Sequence, residues 1–248
     1  AILSMSAFGK MLKWKNILVI DMRSYRNELK FITNPNQAQI LKQRLALIMG
    51  FDENANSQDN TYFIRSLYFD DLYSTAFNEK IDGTLTRKKY RIRIYNFDDN
   101  FIRLECKYKN NMMTSKDQCK ISRELCERII ANDIEGIDGG NNKLLRNFLI
   151  EKKTKHLVPS TIVDYRRTAF VYDVSRVRIT FDEYLKSGMY SSDLFNENIS
   201  TFDIFDSTKT VIEVKFDYML PPHIARVLQT IPMYRQAVSK FAVCRNIK

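Results

Sequence analysis

One stretch of the chain constrains its fold more than any other: Arg87-Lys88-Lys89-Tyr90-Arg91-Ile92-Arg93-Ile94-Tyr95. Side chains of a β-strand point alternately to opposite faces. Read as a strand, this stretch carries Arg87, Lys89, Arg91 and Arg93 on one face and Lys88, Tyr90, Ile92 and Ile94 on the other. Phe101 to Lys109 repeats the split, with Arg103, Glu105, Lys107 and Lys109 against Ile102, Leu104, Cys106 and Tyr108. The polar Phe97-Asp98-Asp99-Asn100 between them predicts a tight hairpin turn. Shorter versions of the same pattern are Arg26-Glu28-Lys30, Arg176-Arg178 and Glu213-Lys215.

Three of these strands share the tripeptide E-x-K: Glu28-Leu29-Lys30, Glu105-Cys106-Lys107 and Glu213-Val214-Lys215. With 11 Glu and 21 Lys in 248 residues, chance gives roughly one such tripeptide. A fourth, Glu151-Lys152-Lys153, falls in a predicted helix. The three on strands each put a carboxylate and an ammonium on one face.

Two arrangements fit this alternation. In one, ordinary sheets turn a charged face to solvent. In the other, the charged faces turn inward and the sheet closes around a polar lumen. The second is favoured because these faces hold Arg, Lys and Glu with few of the Thr, Ser and Gln usual at a solvent face. Helical segments can also cover the apolar faces. Helices are predicted from Asn34-Pro35 to Gly50, from Asp71 to Lys80, from Ser122 to Ile130, from Asn142 to Lys155, from Pro221-Pro222 to Thr230, and from Tyr234 to about Val243. Further strands are expected at Tyr25 to Ile32, Tyr62 to Phe69, Lys116 to Ile121, Thr161 to Tyr172, Arg176 to Asp182 and Val211 to Tyr218. The expectation is an α+β domain over residues 23–248, an eight-stranded antiparallel barrel with a charged lumen surrounded by helices.

The chain carries 39 Lys and Arg against 29 Asp and Glu, a net charge of +10. A lumen so rich in cations is destabilised by repulsion and desolvation unless an anion or water fills it. Arg forks match phosphate oxygens and Lys adds point charge. The few Glu among them are hard oxygen ligands of the kind Mg²⁺ or Mn²⁺ prefers, and such metals usually bridge to substrate phosphates. Two His and four Cys without a C-x-x-C pair argue against zinc and fit a reducing cytosol. There is no G-x-x-x-x-G-K phosphate loop and no stretch with the length of a transmembrane helix. Residues 1–22, with the short apolar run Ile17-Leu18-Val19-Ile20, read as a helix or strand ahead of the domain or as residues added to the natural chain.

The residues resemble the polyphosphate polymerase domain of the vacuolar transporter chaperone family in its stand-alone bacterial form. That domain is a member of the triphosphate tunnel, or CYTH-like, group. The resemblance runs from Tyr25 to Arg245 through Tyr-Arg-Asn-Glu-Leu-Lys-Phe (25–31), Ser-Leu-Tyr-Phe-Asp (66–70), Arg-Lys-Lys-Tyr-Arg-Ile-Arg (87–93) and Leu-Glu-Cys-Lys (104–107). It continues through Tyr-Arg-Arg-Thr-Ala-Phe (165–170), Val-Arg-Ile-Thr-Phe-Asp (177–182), Val-Ile-Glu-Val-Lys (211–215) and Ser-Lys-Phe (239–241). It implies a tunnel that takes ATP by its phosphates and extends inorganic polyphosphate in the cytoplasm, with a membrane-bound partner conceivable and no role for nucleic acid. It implies that Lys30, Arg91, Arg93, Lys107, Lys120, Arg167, Arg178 and Lys240 line the phosphate path. Tyr165 and Ser239 would add hydrogen bonds, Lys215, Glu28 and Glu105 would face the substrate, and Glu213 would hold Mn²⁺ or Mg²⁺. The group's E-x-E-x-K signature reads Arg26-x-Glu28-x-Lys30 here. Loss of the first carboxylate weakens a two-metal hydrolytic reading and favours synthesis or a single-metal site. A triphosphatase and a non-catalytic polyphosphate- or nucleotide-binding module stay open as alternatives. Nucleic-acid binding is disfavoured because the aromatics lie mostly on the apolar strand faces.

Overall fold

The computed structural model describes residues 26–55, 58–111, 113–189, 191–205 and 208–246. The expectations for residues 1–22, and Tyr25, lie outside them. In chain order the elements are β1 (Asn27–Thr33), α1 (Pro35–Ala46), β2 (Gly50–Phe51), β3 (Thr61–Asp70), α2 (Thr75–Ile81), β4 (Thr86–Tyr95), β5 (Asp98–Asn110) and β6 (Met113–Ile121). They continue with α3 (Arg123–Ile130), α4 (Lys143–Thr154), β7 (Val158–Tyr172), β8 (Val177–Gly188), β9 (Phe202–Asp203), β10 (Thr210–Phe216), α5 (Pro222–Leu228), β11 (Tyr234–Arg235) and α6 (Lys240–Arg245).

All the ladders are antiparallel and belong to one sheet of order β11-β1-β10-β8-β7-β3-β4-β5-β6, with β2 on β7 and β9 on β8. The strand count departs from the expected eight. Among the described residues there are eleven, and the three extra ones are two residues long, too short for alternation to reveal. Among those residues no ladder closes the sheet into a barrel. Its two long end strands meet at a single bridge, where the Arg26 N–H donates to the Thr114 carbonyl at 3.2 Å and the reverse bond is 3.5 Å.

The apolar strand faces turn outward under helices, as the alternation requires. Ile92, Ile102, Leu104 and Cys106 pack on Phe148 and Leu145 of α4 and on Cys126 and Ile129 of α3. Phe170, Ile179, Phe181, Ile212 and Val214 pack on Leu41 and Leu45 of α1 and on Ile224 and Leu228 of α5. Each such fully buried side chain contributes about 1.5–3 kcal/mol. A third cluster is on the inner side, where Phe241 of α6 stacks on Tyr68 at 5.0 Å beside Tyr62, Val163 and Tyr165.

Asn34, Ser122 and Asn142 cap their helices, each accepting from the backbone N–H three residues on. Several boundaries differ from expectation: β8 runs on to Gly188, β6 starts at Met113 and α2 at Thr75. The β4–β5 turn is Asn96-Phe97, both left-handed (φ 48° and 57°), and Asp98 to Asn100 already belong to β5. The first helix stops at Ala46, four residues before Gly50, which starts β2 instead. Tyr234-Arg235 pairs with Ile32 and Phe31 as strand, so the last helix begins only at Lys240, capped by Ser239. The four cysteines are free, and burial pushes the Cys106 thiol up to about 11. No helix among the described residues is long and apolar enough to cross a membrane.

Candidate functional site

The charged strand faces line one cavity of about 1440 Å³. Its lining holds seventeen Arg and Lys against five Asp and Glu, an excess of twelve positive charges, while the whole chain carries +10. The positive excess is therefore concentrated along this cavity and its exposed mouths, and the rest of the chain is slightly acidic by difference.

Strands β1, β7, β8 and β10, with α6, build a compensated wall. Glu213 accepts from Lys215 (2.7 Å) and Lys240 (2.9 Å) and pairs with Lys30 at 3.1 Å. Lys240 also meets Asp182 at 2.5 Å, and Asp182 takes both prongs of Arg167 at 2.6 and 2.8 Å. Glu28 accepts from Lys107 at 2.7 Å across the seam between β1 and β6. Burial alone would raise the Glu213 carboxyl, but Lys215, Lys240 and Lys30 hold it well below the usual carboxylate range. Glu28 is likewise lowered, with burial overcome by Lys107, Lys30 and Lys215. Burial lowers Lys215 to about 8 despite Glu213 and Glu28.

A second network stands on β3, β4, β5 and β6. Arg91 donates to Glu105 at 2.7 Å and to the Tyr68 hydroxyl at 2.8 Å, and Lys116 donates to the other Glu105 oxygen at 2.8 Å. Arg93 donates to Ser66 and to the Tyr165 hydroxyl, both at 2.9 Å. Arg178 donates to Asp52 and, at 2.9 Å, to the Tyr62 hydroxyl.

The Lys80, Arg87, Lys89 and Lys109 group at the other end of β4 is different. Among the described residues none of these four forms an ion pair. Lys89 reaches only the Ser239 hydroxyl (3.3 Å) and the face of Phe241 (4.7 Å). Burial lowers its ammonium to about 7, and Arg87, Lys80, Lys107 and Lys30 push the same way. Lys80, Arg87 and Lys109 are lowered too, by burial first.

Of the residues expected at the site, Lys30, Arg91, Arg93, Lys107, Arg167, Arg178, Lys240, Tyr165, Lys215, Ser239, Glu28 and Glu213 line the cavity, and Glu105 bonds two residues that do. Lys120 does not line it. It lies exposed on β6, four residues past Lys116 on the same face. Lys116, placed at the start of a predicted strand but given no role, was missed; β6 begins three residues earlier, at Met113, and Lys116 rather than Lys120 lines the cavity. Asp182 was missed as well, although it closes the motif 177–182; it is buried between two cations. Asp70, another motif residue, has a structural role. It accepts from the N–H groups of Ala76 and Phe77 and pairs with Arg245. The aromatics are not all on the apolar faces either. Tyr62, Tyr68, Tyr95, Phe101, Tyr165 and Phe241 line the cavity.

Among the described residues no three His, Cys, Asp or Glu converge as a metal cluster. Glu213 and Glu28 offer hard oxygens, but ammonium groups engage both. Their chemistry suits a divalent ion in company with phosphate oxygens, which is how Mg²⁺ commonly sits in nucleotide sites.

The family profile described as the VTC domain matches residues 25–247. The chain belongs to the VTC domain family. No curated protein matches the chain. Among solved structures, this VTC domain is similar to a putative adenylate cyclase from Bacillus halodurans at 11% identity, with a TM-score of 0.47, covering 83% of this chain and 88% of that one. It is also similar to the PH1819 protein of Pyrococcus horikoshii OT3 at 11% identity and TM-score 0.38, over 82% and 84% of the two chains. A chain in the Mediator head module of Schizosaccharomyces pombe matches at 7% identity and TM-score 0.44, over 82% and 89%.

Proposed function

We propose that this VTC domain is a polyphosphate polymerase that transfers the γ-phosphoryl group of ATP to a growing inorganic polyphosphate. The observation that carries this reading is the placement of the whole positive excess along one cavity with a few buried carboxylates among the cations. Its volume exceeds the roughly 300–1,000 Å³ of a small-molecule pocket, which suits a polymer.

In the transfer, the bond between the β,γ-bridging oxygen and the γ-phosphorus breaks and ADP leaves with that oxygen. A new bond forms from a terminal oxygen of the chain to the same phosphorus. That oxygen is ionised at neutral pH, so no general base is needed, in keeping with a lining that holds no His or Cys among the described residues. Catalysis then rests on position and charge. Arg91, Arg93 and Arg167 are fixed by Glu105, Tyr165 and Asp182, so their forks are oriented before substrate arrives. Glu213, with Glu28 beside it, would hold Mn²⁺ or Mg²⁺, which when bound supplies further positive charge to the phosphates. Arg26, at the first signature position, brings a cation where the signature has a carboxylate, and that favours synthesis over a two-metal hydrolysis.

Incubation with ATP and Mn²⁺, resolved on a gel, tests the reading. Long chains are expected, with a loss of about 10²–10³-fold in Arg91→Ala. Orthophosphate as sole product would make it a triphosphatase, and tight polyphosphate binding without turnover would make it a binding module.

A further inference from the structure

The lining of the cavity changes character from one end to the other. Along β4 the inward side chains run Arg87, Lys89, Arg91, Arg93, Tyr95. At about 3.3 Å per residue the first and last are about 26 Å apart. Opposite Arg87 and Lys89 the register sets Lys109 and Lys107 on β5; opposite Tyr95 it sets Asp98. One end is therefore a cluster of cations, of which only Lys107 has a carboxylate partner among the described residues.

The other end is aromatic and polar. Tyr95 sits 6.1 Å from Phe101 and 6.0 Å from Tyr62, ring centre to ring centre, and the Arg103 guanidinium lies 4.3 Å over the Phe101 ring. Asn96, Asp98 and Asn100 add amide and carboxylate groups on the same rim. Tyr95 and Phe101 are half-buried, so part of each ring remains open. The deeper aromatics are committed, Tyr68 to Arg91 and Tyr165 to Arg93.

We propose that the nucleoside of the nucleotide rests on the Tyr95–Phe101 rim and that the phosphate chain lies toward, and leaves past, Lys89 and its cationic neighbours. This rests on the polymerase reading and gives it a direction. In-line transfer sets the attacking and leaving oxygens on opposite sides of the transferred phosphorus. ADP and the growing chain must then use different mouths. Bases stack on aromatic rings and guanidinium planes, which the first mouth offers together on its rim. A chain with a charge on every phosphate is drawn to the second and repelled by carboxylates such as Asp98 at the first.

Calorimetric titration of Phe101→Ala and Tyr95→Ala with ATP and with tripolyphosphate tests the assignment without relying on turnover. Loss of a stacked base corresponds to about 1–3 kcal/mol, so ATP affinity is expected to fall at least fivefold while tripolyphosphate affinity stays within twofold. Phe101→Trp is expected to restore ATP binding. Equal weakening of both ligands, or ATP affinity unchanged in both alanine variants, overturns the direction and leaves the polymerase reading standing. If the unaltered protein binds neither ligand, both fall. Tyr95→Ala keeps the test open should Phe101→Ala fail to fold.

Discussion

Two regions of the same lumen handle positive charge in opposite ways. On the wall formed by β1, β7, β8, β10 and α6, Lys30, Lys215 and Lys240 share Glu213, and Arg167 has Asp182. At the Lys80–Arg87–Lys89–Lys109 end no carboxylate among the described residues forms an ion pair with these four, and only Glu79 near Arg87 and Glu28 near Lys109 offset their charge. Breaking a buried pair leaves a charge that costs far more than the pair contributes, so the first region is fixed by its own partners. The second would be completed by the phosphate chain proposed above. Paired cations can be oriented for chemistry, whereas unpaired ones mark where substrate charge is needed.

The largest expected effect breaks the compensated wall. Glu213→Ala leaves Lys240 with Asp182 alone and Lys30 and Lys215 with only the more distant Glu28, at 3.7 and 3.9 Å, and the expected loss of stability is about 3 kcal/mol, read from urea unfolding, together with loss of polyphosphate formation. Glu213→Gln keeps the shape and a hydrogen-bond acceptor, so it should lose the activity with a smaller loss of stability. An unfolding midpoint for Glu213→Ala equal to that of the unaltered protein would sink the view that this wall is held by mutual neutralisation.

Lys89→Met probes the opposite region and should move stability the other way. It removes a buried cation surrounded by Arg87, Lys80, Lys107 and Lys30 and leaves a similar apolar stem. The melting temperature is expected to rise by a few degrees, while tripolyphosphate binding weakens about tenfold and its salt dependence becomes shallower. A lower melting temperature in the absence of anion would show that a neighbouring group compensates the Lys89 charge.

Much of this contrast was legible in the sequence. Period-two alternation at Arg87–Tyr95 and Phe101–Lys109 showed which side chains share the lumen, because a register slip would turn every one of them outward. The E-x-K tripeptides located Glu28, Glu105 and Glu213. Which cation each carboxylate meets was not legible. Glu28 and Lys107 are 79 residues apart and meet only because the two end strands of the sheet come together at Arg26 and Thr114. Asp182 closes the motif 177–182, but its partner Lys240 comes from α6, 58 residues further on. The two-residue strands, and the turn at Asn96-Phe97, depend on tertiary pairing that no local pattern encodes.

A smaller effect is the proton balance. The folded Lys89 ammonium, at about 7, lies below its unfolded value near 10.4. The unfolded chain therefore binds more protons between those limits, and Lys89 makes stability rise with pH across that window. A bound phosphate favours the ammonium and raises it again. Tripolyphosphate binding at pH 8 is then expected to take up protons, up to about one from Lys89 and a fraction more from Lys116, which burial lowers to about 8 against the pull of Glu105. Calorimetry in two buffers of different ionisation enthalpy reads this number directly. Net proton release would contradict the binding of the phosphate chain at that mouth.

The smallest expected effect is also the sharpest control. Lys88 follows Arg87 and precedes Lys89 in the sequence, yet it points to the outer face of β4, where it pairs with Glu151 of α4. It is partly exposed at the surface, and such pairs contribute about 0–1 kcal/mol. Lys88→Ala should therefore leave tripolyphosphate affinity, its proton uptake and its salt dependence as they are, and shift stability by less than about 1 kcal/mol. Two adjacent lysines would then give one silent substitution and one that weakens anion binding. A Lys88→Ala variant that lost affinity as Lys89→Met does would show that bulk charge rather than the inward face recruits the anion, and the distinction between the two regions of the lumen would have no bearing on binding.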